Sequence, residues 1–396
     1  MGTALSGCGK TAGQAPSASG GPGRRLAPVS AQGAVSVVTR NTTRLGGAEP
    51  AADAAAVARA VYPGLTSESR PGMVVVVDQR NWTAALAASA LAGGPTGAPL
   101  LLSNGNSLPA VTRESLTALH PRGLAALGGA QVLEIGTDAP LPAGLDVRHL
   151  TAQGKAPAAA AAIEHVLVDA DGRVAPKRVI VVPAEAAQSL QMPAAGLAAE
   201  SGAPILLAAA AKVPPATADV LGALHHPDIY VLDPTQVGAY ALSKLGRFGH
   251  VTQIGPSAAE GSGPTANAIA IARFTDGTFG WGVKEPGHGL VFANATRPLD
   301  GPAAALLSAS ADFGPLLLLE AAQTIPPALG SYLGDIQPAY TSAPQFQPVR
   351  GVYNHGWLIG DERAISSVVQ AEIDSLLEIS PRKQSTAEEA ASQTTE

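Results

Sequence analysis

The sequence predicts an α/β protein built from three Rossmann-like parallel-sheet repeats packed about a pseudo-threefold axis. Residues 74–103 align with residues 179–208 without a gap, and residues 290–319 fit the same frame. Each copy alternates short apolar runs with alanine-rich segments, the pattern of parallel strands joined by crossover helices. Hydrophobic residues make up 46% of the chain but aromatic residues only 4%, so we expect close packing of small side chains.

The elements of the first copy follow from its apolar runs and turn residues. Residues 73–77 are continuously apolar, which indicates a strand buried on both faces of a parallel sheet. Pro109 stands in the first turn of a helix, where its missing N–H costs nothing. The predicted elements are strands at residues 35–39, 73–77, 99–102, 124–127 and 145–150, and helices at residues 51–61, 82–92 and 109–119.

The repeats divide the chain into five segments. Ile365, Val369, Ile373 and Leu377 recur at helical spacing and predict an amphipathic helix that closes the third copy. The polar segment after it lacks an apolar period and is expected to be disordered. The predicted segments are a tether at 1–32, repeats at 33–150, 151–253 and 254–380, and a tail at 381–396.

The single cysteine, Cys8, excludes a disulfide framework. The sequence Leu5-Ser6-Gly7-Cys8 resembles a bacterial lipobox, which implies lipid attachment to the Cys8 sulfur. Residues 9–32 are mostly Gly, Ser, Pro and Ala, and a flexible tether of this length has a root-mean-square reach of about 27 Å. We therefore expect a membrane-anchored, extracytoplasmic lipoprotein, with a free thiol in a flexible terminus as the alternative.

The charge balance bears on the class of partner. The formal net charge is −6, from 25 Lys and Arg against 31 Asp and Glu. A nucleic-acid-binding protein normally shows a strongly basic face, so no nucleic-acid partner is expected. No uninterrupted apolar stretch approaches the roughly 20 residues that span a bilayer.

The repeated motifs resemble the cell wall-binding repeat 2 family. The resemblance covers about residues 40–380, and its triple occurrence is usual in that family. It implies non-catalytic Rossmann-like units that hold proteins on the cell wall through wall polymers, with anionic polymers as one class. The motifs that carry it are residues 44–49, 74–77, 81–86, 97–102, 108–112 and 127–129.

The sequence departs from the family pattern at several polar positions. The family's Asp-Arg-Tyr near the start is Glu49-Pro50-Ala51 here. Its aspartate at a helix start is replaced by Ala84 in the first copy and is retained as Asp300 in the third. We expect these changes to affect polymer binding more than the fold.

No catalytic constellation stands out, so we expect no enzymatic activity, no cofactor and no metal site. The chain contains neither a Gly-x-Ser-x-Gly elbow nor a His-Glu-x-x-His helix. No Gly-x-Gly-x-x-Gly follows a candidate strand. His120 and His225 occupy matching positions at the ends of matching helices and are expected to be helix-terminal polar residues.

Ligands of open parallel sheets bind beyond the carboxyl ends of the strands, so polar residues in those loops are the candidate ligand-binding residues. The alternative interpretation is that they are helix caps and solvated loop residues. The candidates are Arg44, Asp78, Arg80, Asn81, Trp82, Asn294, Thr296, Arg297 and Asp300.

Together these features favour a lipid-anchored cell-envelope protein that attaches non-catalytically to a wall polymer or an envelope partner. Two alternatives stay open. One is a solute-binding lipoprotein with a ligand cleft between repeats. The other is an accessory modulator of a wall amidase. The sequence does not identify a partner protein.

Overall fold

The computed structural model describes residues 35–151, 156–258, 260–309, 314–340 and 353–381. Cys8, the predicted tether and the predicted tail beyond residue 381 lie outside the described residues. The strands are β1 Val35–Val38, β2 Thr42–Gly46, β3 Val74–Asp78, β4 Leu100–Ser103, β5 Val132–Ile135, β6 Val147–Leu150, β7 Arg178–Pro183, β8 Ile205–Ala208, β9 Asp228–Leu232, β10 His250–Ile254, β11 Gly289–Asn294, β12 Leu316–Leu319, β13 Ala339–Tyr340, β14 His355–Ile359 and β15 Ser380–Pro381. The α-helices are α1 Pro50–Val61, α2 Trp82–Ala88, α3 Ala110–Leu119, α4 Ala156–Ala170, α5 Gln188–Gln191, α6 Pro193–Ser201, α7 Pro215–Ala223, α8 Ala239–Leu245, α9 Pro264–Arg273, α10 Asp300–Ala304, α11 Pro327–Asp335 and α12 Ser367–Leu377.

Three parallel sheets carry the fold. The first sheet has the order β4-β3-β5-β6, and the second has the corresponding order β8-β7-β9-β10. The third sheet runs β12-β11-β14-β2-β1, and only its edge strand β1 is antiparallel to its neighbour. Helices flank the sheets, and the buried runs of β3, β7 and β12 explain why these strands lack alternation. The predicted α/β class with Rossmann-like parallel sheets is confirmed.

The amino-terminal strands complete the third sheet, although they precede all of the first. Strand β2 pairs in parallel with β14, in a register that runs from Thr42 opposite Gly356 to Leu45 opposite Ile359. It occupies the position that β6 and β10 hold in the other two sheets. The segment assigned from sequence to the first repeat therefore contributes its first two strands to the sheet of the third.

A cyclic pattern of contacts joins the three sheets. Helix α1 packs on β4 and contacts α10, helix α4 packs on β8 and contacts α2, and helix α9 packs on β12 and contacts α5 and α6. Each of these helices follows the last parallel strand of one sheet, β2, β6 or β10, and covers the next sheet. The pattern is compatible with the predicted pseudo-threefold axis.

Small residues allow the helices to meet closely at the centre. Helix α6 packs against the 3-10 segments Ser89–Ala92 and Ala305–Ala309. A Cβ atom on Gly93 would lie 2.1 Å from the Ala199 carbonyl oxygen, and one on Gly196 would lie 2.8 Å from Ser308 Oγ. One hydrophobic cluster runs through all three sheets. This close approach gives a physical reason for the high alanine and low aromatic content.

Two local predictions have clear outcomes. The strand predicted at 124–127 is wrong: Ala125–Leu127 is a 3-10 turn that ends at Gly128 and Gly129, both with positive φ, and the strand begins at Val132. His120 and His225 do lie at helix ends, with positive φ angles of 45° and 51°. None of the helices in the described part of the chain meets the length and hydropathy of a membrane span.

The Pro-x-x-Thr motif that the first two copies share has a structural cause. Thr112 Oγ1 donates a hydrogen bond to the Leu102 carbonyl oxygen at 2.7 Å. Thr217 Oγ1 donates the matching bond to the Leu207 carbonyl oxygen, also at 2.7 Å. Both hydroxyls are buried and fasten a helix start to the end of the preceding strand. The threonine of this motif is therefore explained by its role in the fold.

Candidate functional site

An open cleft of about 1050 Å³ lies where the loops of the first sheet face those of the second. The loops after β3, β4 and β5 and the end of β6 form one side, and the loop after β7 forms the other. This is the carboxyl edge of the parallel strands, where ligands of such sheets bind. We call it the 1–2 cleft. Its lining includes Asp78, Arg80, Asn81, Trp82, Thr83, Asn106, Thr137, Asp138, His149, Thr151, Gln188 and Gln191.

An ion pair stands at the mouth of the 1–2 cleft. Arg80 Nη2 lies 2.8 Å from Asp78 Oδ2, and the Gly105 N–H donates to Asp78 Oδ1 at 3.0 Å. Burial raises the pKa of Asp78, but the hydrogen bonds from Arg80 and Gly105 outweigh it and hold that pKa below its usual value. Asp78 is thus an ionised carboxylate whose oxygens are occupied by the loops around it.

The next two candidates support the floor of the cleft. The Asn81 side chain accepts a hydrogen bond from the Ala84 N–H at 3.1 Å and caps helix α2. Trp82 is only 9% exposed, and its indole N–H faces Gln191 Oε1 at 3.5 Å. Gln191 in turn donates to the carbonyl oxygens of Pro183 and Ala186. Trp82 therefore links the first and second sheets and exposes little of its ring to the cleft.

A buried glutamate lies behind the cleft wall. Glu134 is 2% exposed, sits opposite His149 on neighbouring strands, and its Oε2 lies 3.2 Å from His149 Nδ1. Burial raises the pKa of Glu134. Its other oxygen, Oε1, has no hydrogen-bond partner among the described residues. The His149 side chain is 56% exposed at the cleft, and Asp138 Oδ1 lies 3.7 Å from the same ring nitrogen.

The corresponding loop of the third sheet is closed by polar contacts of its own. Asn294 Oδ1 accepts from the Thr296 N–H at 3.0 Å and hydroxyl at 2.8 Å, while its amide donates to the Ala364 carbonyl oxygen at 2.8 Å. Asn294 is buried. These bonds satisfy both ends of the amide and fix the loop between β11 and α10.

A buried ion cluster follows in the same loop. Arg297 Nε donates to Asp300 Oδ2 at 2.8 Å, Nη2 pairs with Asp53 of α1, and Nη1 reaches the Ala48 carbonyl oxygen at 3.1 Å. Asp53 and Asp300 are both fully buried, and the Gly47 N–H donates to Asp53 at 2.7 Å. We call these three side chains, Asp53, Arg297 and Asp300, the 3–1 cluster.

The carboxyl groups of the 3–1 cluster share a restricted environment. Burial, and then the charge of Asp300, raise the pKa of Asp53 to about 9 although Arg297 opposes the shift. Burial also raises the pKa of Asp300. Two carboxyl groups this close to one guanidinium favour a state with one proton retained. The cluster is then neutral overall.

At the junction between the second and third sheets, the facing helix carries a neutral residue in the corresponding position. Asn267 lies on α9 at the position that Asp53 holds on α1, counted from the proline that opens each helix. Its amide donates to the Leu190 carbonyl oxygen at 2.7 Å. Helix α4, which borders the 1–2 cleft, carries alanine from 158 to 162.

Arg44 lies outside both loops, in the scaffold beside the loop of the third sheet. It is 3% exposed, and its guanidinium donates to Gln370 Oε1 at 3.0 Å and to the carbonyl oxygens of Gly360, Asp361 and Ile365 at 2.6–3.0 Å. All these partners belong to the third unit. Arg44 fastens β2 to that unit, which explains the arginine in the opening motif.

The candidate residues therefore separate into three places. Four border the 1–2 cleft, four lie in the closed loop of the third sheet, and Arg44 lies in the scaffold. Sequence reasoning missed Asp53, Asn267, Glu134 and His149. A charged residue inside the apolar run of β5 was a signal for Glu134. Among the described residues no group of His, Cys, Asp and Glu side chains could hold a metal ion.

Known proteins share this fold at low sequence identity. No protein-family profile and no curated protein matches the sequence. The structure is similar to Cwp6 from Clostridium difficile, with a TM-score of 0.63 and 18% identity over 90% of this chain. It is also similar to Cwp8 from the same organism, with a TM-score of 0.61 and 15% identity over 86% of this chain. The chain spans about half of each, 51% and 52%.

Proposed function

We propose that this chain is an extracytoplasmic cell-envelope protein that attaches non-catalytically to a cell-wall polymer. The observation that carries the proposal is the 1–2 cleft, a wide polar opening at the carboxyl edge of a parallel sheet. The fold shared with Cwp6 and Cwp8, which are cell wall proteins, supports a wall-associated role. The cleft is at the upper end of the volumes found for small-molecule pockets, which suits a polymer segment.

The bonding of three cleft side chains, Asp78, Asn81 and Gln191, favours a binding role for these groups over a catalytic one. Asp78 is held by Arg80 and Gly105, Asn81 caps a helix, and Gln191 holds two carbonyl oxygens of the neighbouring loop. A general acid or base must be free to exchange a proton with a substrate. These groups instead shape a rigid opening.

The proposal includes lipid attachment at Cys8. The tether would let the body sample a shell of about 27 Å around its anchor. We expect a Cys8→Ser variant, expressed in the native cells, to move from the membrane fraction to the soluble fraction while its folded body is unchanged. Retention of the variant in the membrane fraction would contradict lipid anchoring.

Co-sedimentation with purified wall material tests polymer attachment. Arg80→Ala removes an exposed arginine at the cleft, and we expect it to lower the retained fraction. Arg363→Ala is the matched control, because Arg363 forms the same kind of exposed pair with the aspartate two residues before it, at 2.9 Å. Failure of the wild-type protein to sediment with any wall preparation would refute the proposal.

A solute-binding lipoprotein is the second candidate, because the cleft does lie between two sheets. Such proteins close around their ligand by a hinge. Here one hydrophobic cluster runs through both sides of the cleft, which opposes a hinge. Small-angle scattering with and without cell-extract metabolites separates the two: a ligand-induced decrease in radius would favour solute binding, and an unchanged radius favours the wall module.

A further inference from the structure

We propose that the 1–2 cleft binds an uncharged, hydroxyl-rich glycan segment and that it is the one ligand-binding junction among the three. This inference rests on the proposed function and names the ligand class. The other two junctions are the one that holds the 3–1 cluster and the one between the second and third sheets. The inference concerns the described residues of all three.

The charges around the cleft disfavour a polyanion. Within the described residues its lining has no lysine and one arginine, Arg80, whose charge is matched by Asp78. Asp138 is 82% exposed at the cleft, and the buried carboxyl group of Glu134 stands behind His149. A polyanion would need several unmatched cations here, and the chain as a whole carries a net charge of −6.

The free hydrogen-bonding groups suit hydroxyls. Asn106 and Gln188 are exposed at the cleft, and neither side chain is bonded to another described residue. An amide offers both donors and acceptors, and a sugar hydroxyl both donates and accepts. Thr151 and His149 add a hydroxyl and an imidazole to the same opening. Because Trp82 is buried, recognition here depends on hydrogen bonds rather than on ring stacking.

The counterparts of the cleft lack this capacity. In the third sheet the loop residues bind one another and Asp53, so their donors and acceptors are occupied. Between the second and third sheets, the Asn267 amide binds the backbone of Leu190 across the junction. Asn267 is buried, and its Oδ1 has no hydrogen-bond partner among the described residues. We therefore expect the 1–2 cleft to be the binding site of the chain.

The test uses co-sedimentation with two preparations of sacculi, one with its anionic polymers retained and one stripped of them. We expect equal retention on both, and no loss between about 50 mM and about 500 mM salt, since uncharged contacts are not screened. Chitin oligosaccharides, which are uncharged chains of N-acetylglucosamine, serve as the soluble glycan strands for competition, and a glycerol phosphate polymer is the anionic comparison.

Two tryptophan variants link the binding to the cleft. Gln188→Trp adds a bulky side chain at the exposed rim, and we expect it to lower retention roughly tenfold or more. Gln236→Trp is the control, because Gln236 is exposed beyond the second sheet and does not line the cleft. Both residues are exposed, so both variants are expected to fold.

The outcomes separate the ligand class from the function. Retention that requires the anionic polymers and falls with salt would overturn the uncharged class but leave wall attachment intact. Competition by stem peptides and not by glycan strands would overturn the glycan. Equal retention of both tryptophan variants would overturn the site. Absence of retention on both preparations would refute the proposed function itself.

Discussion

The loop after β3 and the loop after β11 occupy the same place in their sheets, yet one borders an open cleft and the other is sealed. In the third sheet, Arg297 turns inward because the facing helix presents Asp53. In the first sheet, the facing helix α4 has alanine in its first turns, and Arg80 pairs with Asp78 of its own loop. One acidic residue on the neighbouring helix thus distinguishes the 3–1 cluster from the 1–2 cleft.

Removal of the central cation should have the largest effect on the sealed loop. Arg297→Met leaves Asp53 and Asp300 buried without a counter-charge, and breaking such a buried pair costs about 3–5 kcal/mol in the free energy of unfolding. Urea denaturation at neutral pH measures the loss. Arg80→Met should lower the midpoint less, because the Arg80 side chain is 67% exposed and Asp78 keeps its hydrogen bonds from the backbone N–H groups of residue 80 and Gly105. Similar losses in both variants would abolish the distinction between the loops.

The pH dependence of stability should further distinguish the loop after β11 from the loop after β3. The folded-state pKa of Asp53 is about 9, whereas an unfolded aspartate has a pKa of about 3.9. A raised folded-state pKa gives stability that is full below the unfolded value and is lost as pH rises toward the folded value. We therefore expect the melting temperature of Asp53→Asn to increase relative to that of the wild type as the pH rises from about 5 to about 9.

That change in relative melting temperature is a difference between two proteins measured in the same buffers, so effects of pH on other groups cancel. A constant offset between variant and wild type across the range would show that Asp53 does not retain a proton in the folded state. Asp138→Asn, at an exposed carboxyl group, serves as the control and should show no such trend.

Substitution of the buried glutamate behind the 1–2 cleft should have a smaller effect on the free energy of unfolding. Glu134→Gln removes a charge that is costly to bury and that only the half-exposed His149 offsets. Removal of the buried charge stabilises the folded state, and loss of the pairing with His149 destabilises it. Because these effects oppose each other, the free energy of unfolding should change by no more than about 1 kcal/mol. Thermal unfolding near neutral pH measures it. A loss as large as that of Arg297→Met would show that both loops depend equally on buried charge.

Local features of the fold were predictable from sequence because they depend on neighbours along the chain. Continuous apolar runs located β3 and β7, and Pro109 marked the start of a helix one residue later. The position of β2 was not predictable, since its partner β14 lies more than 300 residues away and strand pairing carries no local signal. The error at 124–127 has a different, local origin, because a short apolar run does not distinguish a strand from a turn closed by glycines.

The candidate site was predictable in part. The carboxyl-edge rule located Asp78 and Arg80 at the cleft, but the same rule applied equally to Arg297 and Asp300. What separates them is Asp53, a residue 244 positions away from Arg297 in sequence. Sequence periodicity showed which loops share an edge, and only packing between units shows which of those edges remains open.

Hydrogen–deuterium exchange with soluble glycan strands tests the central claim most directly, because it reports on all the loops in one experiment. We expect added protection in the loops that form the 1–2 cleft, at residues 78–83, 104–107, 136–138 and 184–191, and no change at residues 294–300. Protection at residues 294–300, or none at the cleft loops in a protein that is retained on stripped sacculi, would contradict the account.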